Sequence, residues 1–170
     1  MAKVSKKICI MGDCDAVKSQ LTRCLSAYSL REPYCSRMGV GIYYKALELK
    51  DKNLTLQLAI WDLASNSKYK RLSQLYLKGA SGAVVVADIN RQESIEQLSE
   101  YVQLFFSINP QSIILVALND DKKYDDKNSL QLFQLYPSEI QDNLRVNYPV
   151  YSPRISSGDE IFKTLACQII

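Results

Sequence analysis

The chain has 170 residues, of which 47% are hydrophobic and 23% are charged, and its net charge is +3. This balance excludes wholesale disorder and predicts one globular domain over residues 1–170. The mild charge does not favour nucleic acid as a partner, and the absence of histidine from the sequence excludes Ser-His-Asp hydrolysis and His-ligated metals.

The first half of the chain predicts strands and one helix. Residues 7–11 are apolar and predict a buried strand, and residues 18–28 carry apolar residues at helical spacing. Residues 30–38 predict a loop. Residues 41–50 and 53–61 predict two strands joined as a hairpin, because leucine and isoleucine alternate with smaller or polar residues in the second.

The second half predicts alternating helices and strands. Residues 65–79 begin as a loop and become helical, and a second helix is expected over 91–107. The runs 83–87 and 113–118 are apolar on both faces, which is typical of central parallel strands. Residues 119–128 predict a solvated loop.

The final third predicts a partly helical segment over 129–144, a short last strand at 149–151 and a final helix over 160–169. Strand–helix alternation indicates an α/β protein in which helices cover a mostly parallel sheet. Ligands of such sheets bind at the carboxyl ends of strands, so the loop after the first strand is the expected site.

That loop fits a phosphate-binding motif with one departure. Residues 12–19 read G-D-C-D-A-V-K-S, against the pattern G-x-x-x-x-G-K-[ST]. Gly12, Lys18 and Ser19 match, but Val17 replaces the second glycine, and a β-branched side chain hinders close approach of backbone N–H groups to phosphate. Asp15 adds a negative charge that repels a polyphosphate.

Further segments resemble Rab-type small GTPases of the Ras superfamily. W-D-L-A-S-N at 61–66 is similar to W-D-T-A-G-Q, and residues 76–82, 87–94 and 39–45 are similar to further stretches of that family. The resemblance covers nearly the whole chain. It implies a three-layer P-loop small-GTPase fold with a six-stranded, mostly parallel sheet, one antiparallel edge strand and about five helices.

The resemblance also implies a site for GTP or GDP with Mg²⁺. Lys18 and Ser19 would contact phosphates and Mg²⁺, Asp62 would lie near Mg²⁺, and Asn66 would stand at the catalytic position of the water-orienting glutamine. The remaining candidates are the residues of the incomplete guanine-reading and base-supporting motifs, Asn119, Asp121 and Ser152. For each, ordinary helix-start, capping or solvated roles are the alternatives.

Two departures concern the segments that sense the γ-phosphate. Gly39 stands where the family has its Mg²⁺-binding threonine, and Ser65 replaces the glycine whose N–H meets the γ-phosphate. Without these contacts, the active and inactive conformations of the chain would bind GTP and GDP with similar affinity, so exchange of one nucleotide for the other would cause little switching.

A protein-binding surface is expected at Tyr44, Trp61 and Leu77, which we place at the aromatic triad that Rab proteins present to effectors. The alternative is that they only pack against the sheet. Cys167 begins a formal C-a-a-X ending, yet it falls inside the predicted last helix, so a core cysteine is the preferred interpretation. Contact with a membrane would then need a partner or a missing tail.

The five cysteines form no C-x-x-C pair, and we recognise no export signal, which together predict a cytoplasmic, reducing location. The leading hypothesis is a pseudo-GTPase: a regulatory or scaffold module that binds effector-like or complex-partner proteins. The alternatives are a genuine GTP-binding switch with slow hydrolysis, and a protein that binds another nucleotide or none.

Overall fold

A computed structural model describes residues 2–27, 34–36, 39–65, 70–119, 130–135, 154–155 and 158–170. The long strands are β1 (Ala2–Gly12), β3 (Val40–Leu49), β4 (Leu54–Leu63), β5 (Gly82–Asp88) and β6 (Ile113–Asn119). The short strands are β2 (Tyr34–Ser36), β7 (Leu130–Leu135) and β8 (Arg154–Ile155). The helices are α1 (Asp15–Ala27), α2 (Lys70–Leu77), α3 (Gln92–Ile108) and α4 (Gly158–Gln168).

All the described strands form one sheet in the order β2-β3-β4-β1-β5-β6-β7-β8. Its centre is parallel, since β1 pairs in parallel with β4 and β5, and β5 with β6. β3 runs antiparallel to β4 and is joined to it by a 3-10 turn, Lys50–Lys52, as the hairpin pattern predicts. The predicted α/β fold with a parallel centre and an antiparallel edge is therefore confirmed.

Two apolar layers hold the helices on the sheet. Alternate residues of β1, such as Ile8 and Ile10, pack against α1 and α4 on one face. Cys9 and Met11 of the same strand pack with α3 on the other face. Because the side chains of a strand alternate between its two faces, one apolar strand serves both layers, which is the three-layer arrangement expected from the sequence.

The sheet extends beyond the predicted strands at both ends. The described residues form eight strands rather than six. β2 lies in the predicted loop 30–38, and β7 lies in the segment 129–144 that was expected to be partly helical. β7 pairs antiparallel with β6, whose residues are all buried. A buried edge strand needs partners for its backbone N–H and C=O groups, and this requirement outweighs a weak helical pattern.

Four α-helices fall within the described residues, and the last strand expected at 149–151 lies outside them. Cys167 lies in α4 but is exposed, so its interpretation as a core cysteine is wrong. The buried side of that helix carries Ile161, Phe162, Leu165 and Ala166 instead. None of the described helices is long and apolar enough to cross a membrane. The carboxyl ends of β1, β4, β5 and β6 meet at one edge of the sheet, where the loop 12–19 begins.

Candidate functional site

Gly12 makes the turn out of β1 possible. Its φ is +117°, a conformation that side chains disfavour, and a Cβ there would lie 2.0 Å from the carbonyl oxygen of Val86. The backbone therefore crosses the end of β5 at a distance that only glycine permits. This position agrees with the first glycine of the predicted motif.

α1 begins at Asp15, earlier than the helix start expected at residue 18. The N–H of Lys18 donates to the carbonyl oxygen of Cys14 at 3.0 Å, and the N–H of Val17 is directed at the Cys14 sulfur. Val17 itself is 2% exposed and packs with Leu21 in the core. Burial of this side chain fixes the residue in the helix, so the loop between β1 and α1 contains only Asp13 and Cys14.

The Lys18 side chain turns back onto the end of β4. Its ammonium donates a hydrogen bond to the carbonyl oxygen of Leu63 and lies 3.2 Å from Oδ1 of Asp62. The Lys18 side chain is 9% exposed and that of Asp62 is 21% exposed. The two residues that the motifs predict to act together are therefore brought together as a buried ion pair.

The charge of Asp62 depends on Lys18. Burial raises the pKa of the Asp62 carboxyl above its usual value, Lys18 opposes this rise, and Asp15 adds to it. Without Lys18 the carboxylate would keep its burial and the repulsion from Asp15 but lose the charge that opposes them, which disfavours the charged form.

Asp13 joins the loop to the start of α3, a role that the motif comparison missed. Its carboxylate accepts a hydrogen bond from the Ser94 hydroxyl and lies 3.1 Å from Nη2 of Arg91. The Ser94 oxygen in turn accepts from the N–H of Asp88 at 2.9 Å. Ser94, in the first turn of α3, is 1% exposed, so its hydroxyl needs a hydrogen-bond partner within the protein, and Asp13 supplies it.

The site is acidic. Burial raises the pKa of the Cys14 thiol, the hydrogen bond from Val17 lowers it, the carboxylates of Asp88 and Asp13 raise it further, and Arg91 lowers it. A bound anion would meet the same carboxylates, together with Asp15. Within the described ranges, no cluster of three Cys, Asp or Glu side chains is arranged to hold a metal ion.

Gly39 and Ser65 flank the β3–β4 ladder. Gly39 has a φ of +81°, and its carbonyl oxygen accepts a hydrogen bond from the N–H of Ala64 at 2.9 Å. Ser65 is exposed, as is Ser19 on the first turns of α1. The two segments expected to sense the γ-phosphate are thus connected by a bond of the chain's own backbone.

The candidates for base recognition are described only in part. Asn119 ends β6, is 7% exposed, and its carbonyl oxygen accepts a hydrogen bond from the N–H of Ile89 at 3.0 Å. Asp121, Ser152 and the catalytic candidate Asn66 lie outside the described residues.

The expected partner surface differs from the structure at one of its three residues. Tyr44 and Trp61 are half-buried on the sheet face that carries α2 and α3. Leu77 is 0% exposed and belongs to the core, so it is not available to a partner. Its neighbour Tyr76 is half-buried instead, and its ring centroid lies 5.9 Å from that of Trp61. The resemblance to the family motif placed Leu77 on the partner surface, and the adjacent Tyr76 occupies that place in the structure.

The fold and the position of the site define a P-loop-type α/β domain, and comparison with known proteins gives its family. The Ras family model matches residues 7–169, so the chain belongs to the Ras family. Its relatives include two that span most of it. GTP-binding protein ypt1 of Schizosaccharomyces pombe is 24% identical over 164 residues, covering 96% of this chain and 79% of that protein. Ras-related protein Rab-1A of Dictyostelium discoideum is 27% identical over 169 residues, with coverage of 96% and 79%.

A third relative, Ras-related protein RABF2a of Arabidopsis thaliana, is 29% identical over 138 residues, which cover 80% of this chain and 68% of that protein. The similarity to Rab proteins expected from the sequence is therefore supported.

Proposed function

We propose that this Ras-family domain acts by binding partner proteins through the face around Tyr44, Trp61 and Tyr76, and that it holds guanine nucleotide weakly or not at all. The observation that carries the proposal is the state of Lys18. Its backbone N–H, its ammonium group and the neighbouring N–H of Val17 are all engaged by groups of the same chain.

A triphosphate does not fit the loop in this arrangement. Phosphate binding would require the N–H groups of Val17 and Lys18 to leave Cys14, at a net cost of about 1 kcal/mol for each hydrogen bond. It would also bring phosphate charge towards Asp15, which costs roughly 1–4 kcal/mol at a few ångströms, and towards Asp13, whose charge Arg91 partly compensates. Both effects disfavour nucleotide.

The connection between the two sensing segments supports a single shape. Gly39 and Ala64 are hydrogen-bonded, and next to them Val40 pairs with Leu63 in the β3–β4 ladder. These bonds are made by the chain's own backbone groups, and Gly39 has no side chain to offer Mg²⁺, so few contacts in these segments would depend on a γ-phosphate. A ligand shifts a conformational equilibrium only through contacts that differ between the states.

The aromatic side chains favour protein contact. Tyrosine and tryptophan provide large, rigid contact areas, and they often dominate the binding energy of interfaces. Trp61 and Tyr76 are half-buried and in ring contact, so a partner would meet a surface that is already ordered.

A genuine GTP-binding switch with slow hydrolysis is the second candidate, and the family match favours it. Lys18 and Asp62 lie together near the carboxyl end of β4, and Ser19 follows Lys18 on α1, so the three residues would hold phosphate and Mg²⁺. A bound Mg²⁺ would neutralise phosphate charge. The chain's own part would be to release Lys18 from Leu63 and Asp62.

Nucleotide content separates the two candidates. Freshly purified protein is denatured, the supernatant is analysed chromatographically, and native protein is titrated with labelled GDP and GTP in Mg²⁺. We expect no bound nucleotide and no saturation at millimolar ligand. Stoichiometric guanine nucleotide would contradict the proposal and favour the switch, whereas another nucleotide would favour the altered base pocket.

Partner binding is tested with immobilised protein and quantitative mass spectrometry of captured proteins. Trp61→Ala is expected to lose partners that the unmodified domain captures. Gln57→Ala is the matched control, because Gln57 is exposed on the same face of the same strand. Equal capture by both variants would exclude Trp61 as an anchor.

A further inference from the structure

Lys7 joins three elements beneath the proposed partner surface. It lies on β1 opposite Ala59 of β4, on the same face as Cys9, which lies opposite Trp61. Its ammonium nitrogen is 4.0 Å from the centroid of the Trp61 ring system. The same nitrogen donates a hydrogen bond to the carbonyl oxygen of Lys78, just after α2, at 2.9 Å.

Tyr76 contacts the same indole. Its ring is tilted by 47° to that of Trp61, and its carbonyl oxygen accepts a hydrogen bond from the Cys9 thiol at 3.7 Å. Two side chains of β1, Lys7 and Cys9, therefore bind carbonyl groups at the carboxyl end of α2. The indole is restricted both by the ammonium group and by the tyrosine ring.

The environment of Lys7 strengthens this contact. Burial lowers the pKa of its amine, and the nearby Cys9 opposes the effect. An ammonium group that is partly withdrawn from water loses less hydration when it interacts with an aromatic ring, so its attraction to the ring is stronger than at a fully exposed site.

We propose that Lys7 is a positioning residue that fixes the orientation of Trp61 and couples the end of α2 to the partner surface. The orientation of Trp61 is a property of the chain alone. Its consequence for docking rests on the proposed function. A displacement of α2 would move the Lys78 carbonyl group, and with it the ammonium group that holds the indole.

Trp61 is the chain's single tryptophan, so its fluorescence and its indole N–H resonance report this contact directly. Loss of one cation–π contact shifts the rotamer populations of Trp61 by about two- to fivefold towards orientations open to solvent. In Lys7→Met we therefore expect the constant for acrylamide quenching of Trp61 fluorescence to rise by about the same factor. Lys7→Arg should restore low quenching, because arginine can also stack on the ring and donate to the Lys78 carbonyl.

Lys3→Met is the matched control, since Lys3 lies exposed on the same strand and face. Cooperative thermal unfolding checks that each variant folds, and Lys7→Gln replaces any Lys7→Met protein that does not. Unchanged quenching and an unchanged indole resonance in the Lys7 variant would overturn the positioning role.

Capture experiments separate this inference from the proposed function. Raised quenching with reduced capture of Trp61-dependent proteins supports both parts. Raised quenching with unchanged capture overturns the coupling to docking and leaves the positioning role supported. If Trp61→Ala itself captures the same proteins as the unmodified domain, the proposed function fails, while the fluorescence result still decides the role of Lys7.

Discussion

Replacing Lys18 with methionine tests whether the lysine of the phosphate motif stabilises the nucleotide-free chain. The substitution keeps much of the apolar stem and removes the ammonium group that binds the Leu63 carbonyl and faces Asp62. Removing one partner of a buried ion pair costs about 3–5 kcal/mol. Because the Asp62 side chain keeps 21% of its exposure, we expect roughly 2–4 kcal/mol here.

Thermal unfolding in nucleotide-free buffer measures this loss. For a domain of this size, each kcal/mol lowers the midpoint by about 2–4 °C, so the expected shift is roughly 4–16 °C. Lys50→Met, on the exposed 3-10 turn, is the control for loss of charge and should change stability by less than about 0.5 kcal/mol. A double-mutant cycle with Asp62→Asn should give a coupling of about 1–3 kcal/mol.

The loss should also depend on pH. The pKa of Asp62 is raised in the folded chain, and it should rise further when Lys18 is removed. A raised carboxyl pKa means that the folded state binds protons more tightly than the unfolded state. The resulting loss of folding stability is absent well below the ordinary carboxyl pKa of 3.8, and it grows as the pH rises through the pKa of Asp62 in the folded chain. The deficit of Lys18→Met should therefore be larger at pH 7 than at pH 4, and equal midpoints for variant and parent at pH 7 would refute this reasoning.

Two further predictions concern the turn after β1 and the thiols. Gly12→Ala should cost roughly 3–5 kcal/mol or prevent folding, because its Cβ would meet the Val86 carbonyl oxygen. Gly79→Ala, with open space around it, should cost only about 1–2 kcal/mol, and comparable melting points would contradict the argument. In iodoacetamide labelling mapped by mass spectrometry at pH 8, exposed Cys167 should react before buried Cys9, whose pKa is raised to about 12, and the reverse order would contradict the described burial.

The central strands of the sheet were predictable because their apolar residues follow clear patterns along the sequence. Residues 54–60 alternate between unlike faces, and residues 83–87 are apolar on both faces. β4 and β5 show these burial patterns. β7 was not predictable in this way, because residues 130–135 acquire their conformation by pairing with β6. A partner distant in sequence decided the structure of that segment.

The site was predictable in its location and less so in its conformation. The spacing of Lys18 and Asp62 from the family motifs placed both at one edge, and the structure joins them. The start of α1 was missed because the helix was predicted from the apolar spacing within residues 18–28, and that spacing gives no signal for the turn that begins at Asp15. The acidic residue Asp15 and the apolar Val17 are compatible with an earlier helix start and a buried first turn.

Leu77 was placed on the partner surface by its position in the family motif, whereas its neighbour Tyr76 is the residue that contacts Trp61. Adjacent residues on a helix differ by about 100° in direction, so an error of one position exchanges a surface residue for a core residue. The helix here is short, and the sequence alone does not fix its rotation on the sheet. Contact with Trp61 on one side and the core on the other fixes it.

Residues 62–64 take part in both proposals. The same contacts that compete with a nucleotide also keep the domain from changing shape when a nucleotide binds. Lys18 binds Leu63, Gly39 binds Ala64, and β3 pairs with both Asp62 and Leu63. A ligand that moves a population from 1:99 to 99:1 needs about 5.5 kcal/mol of differential binding. Here a nucleotide would first have to replace hydrogen bonds worth about 1 kcal/mol each, and Gly39 offers it no side chain in return. The domain would thus keep one shape with or without nucleotide, which suits a surface that partners recognise continuously.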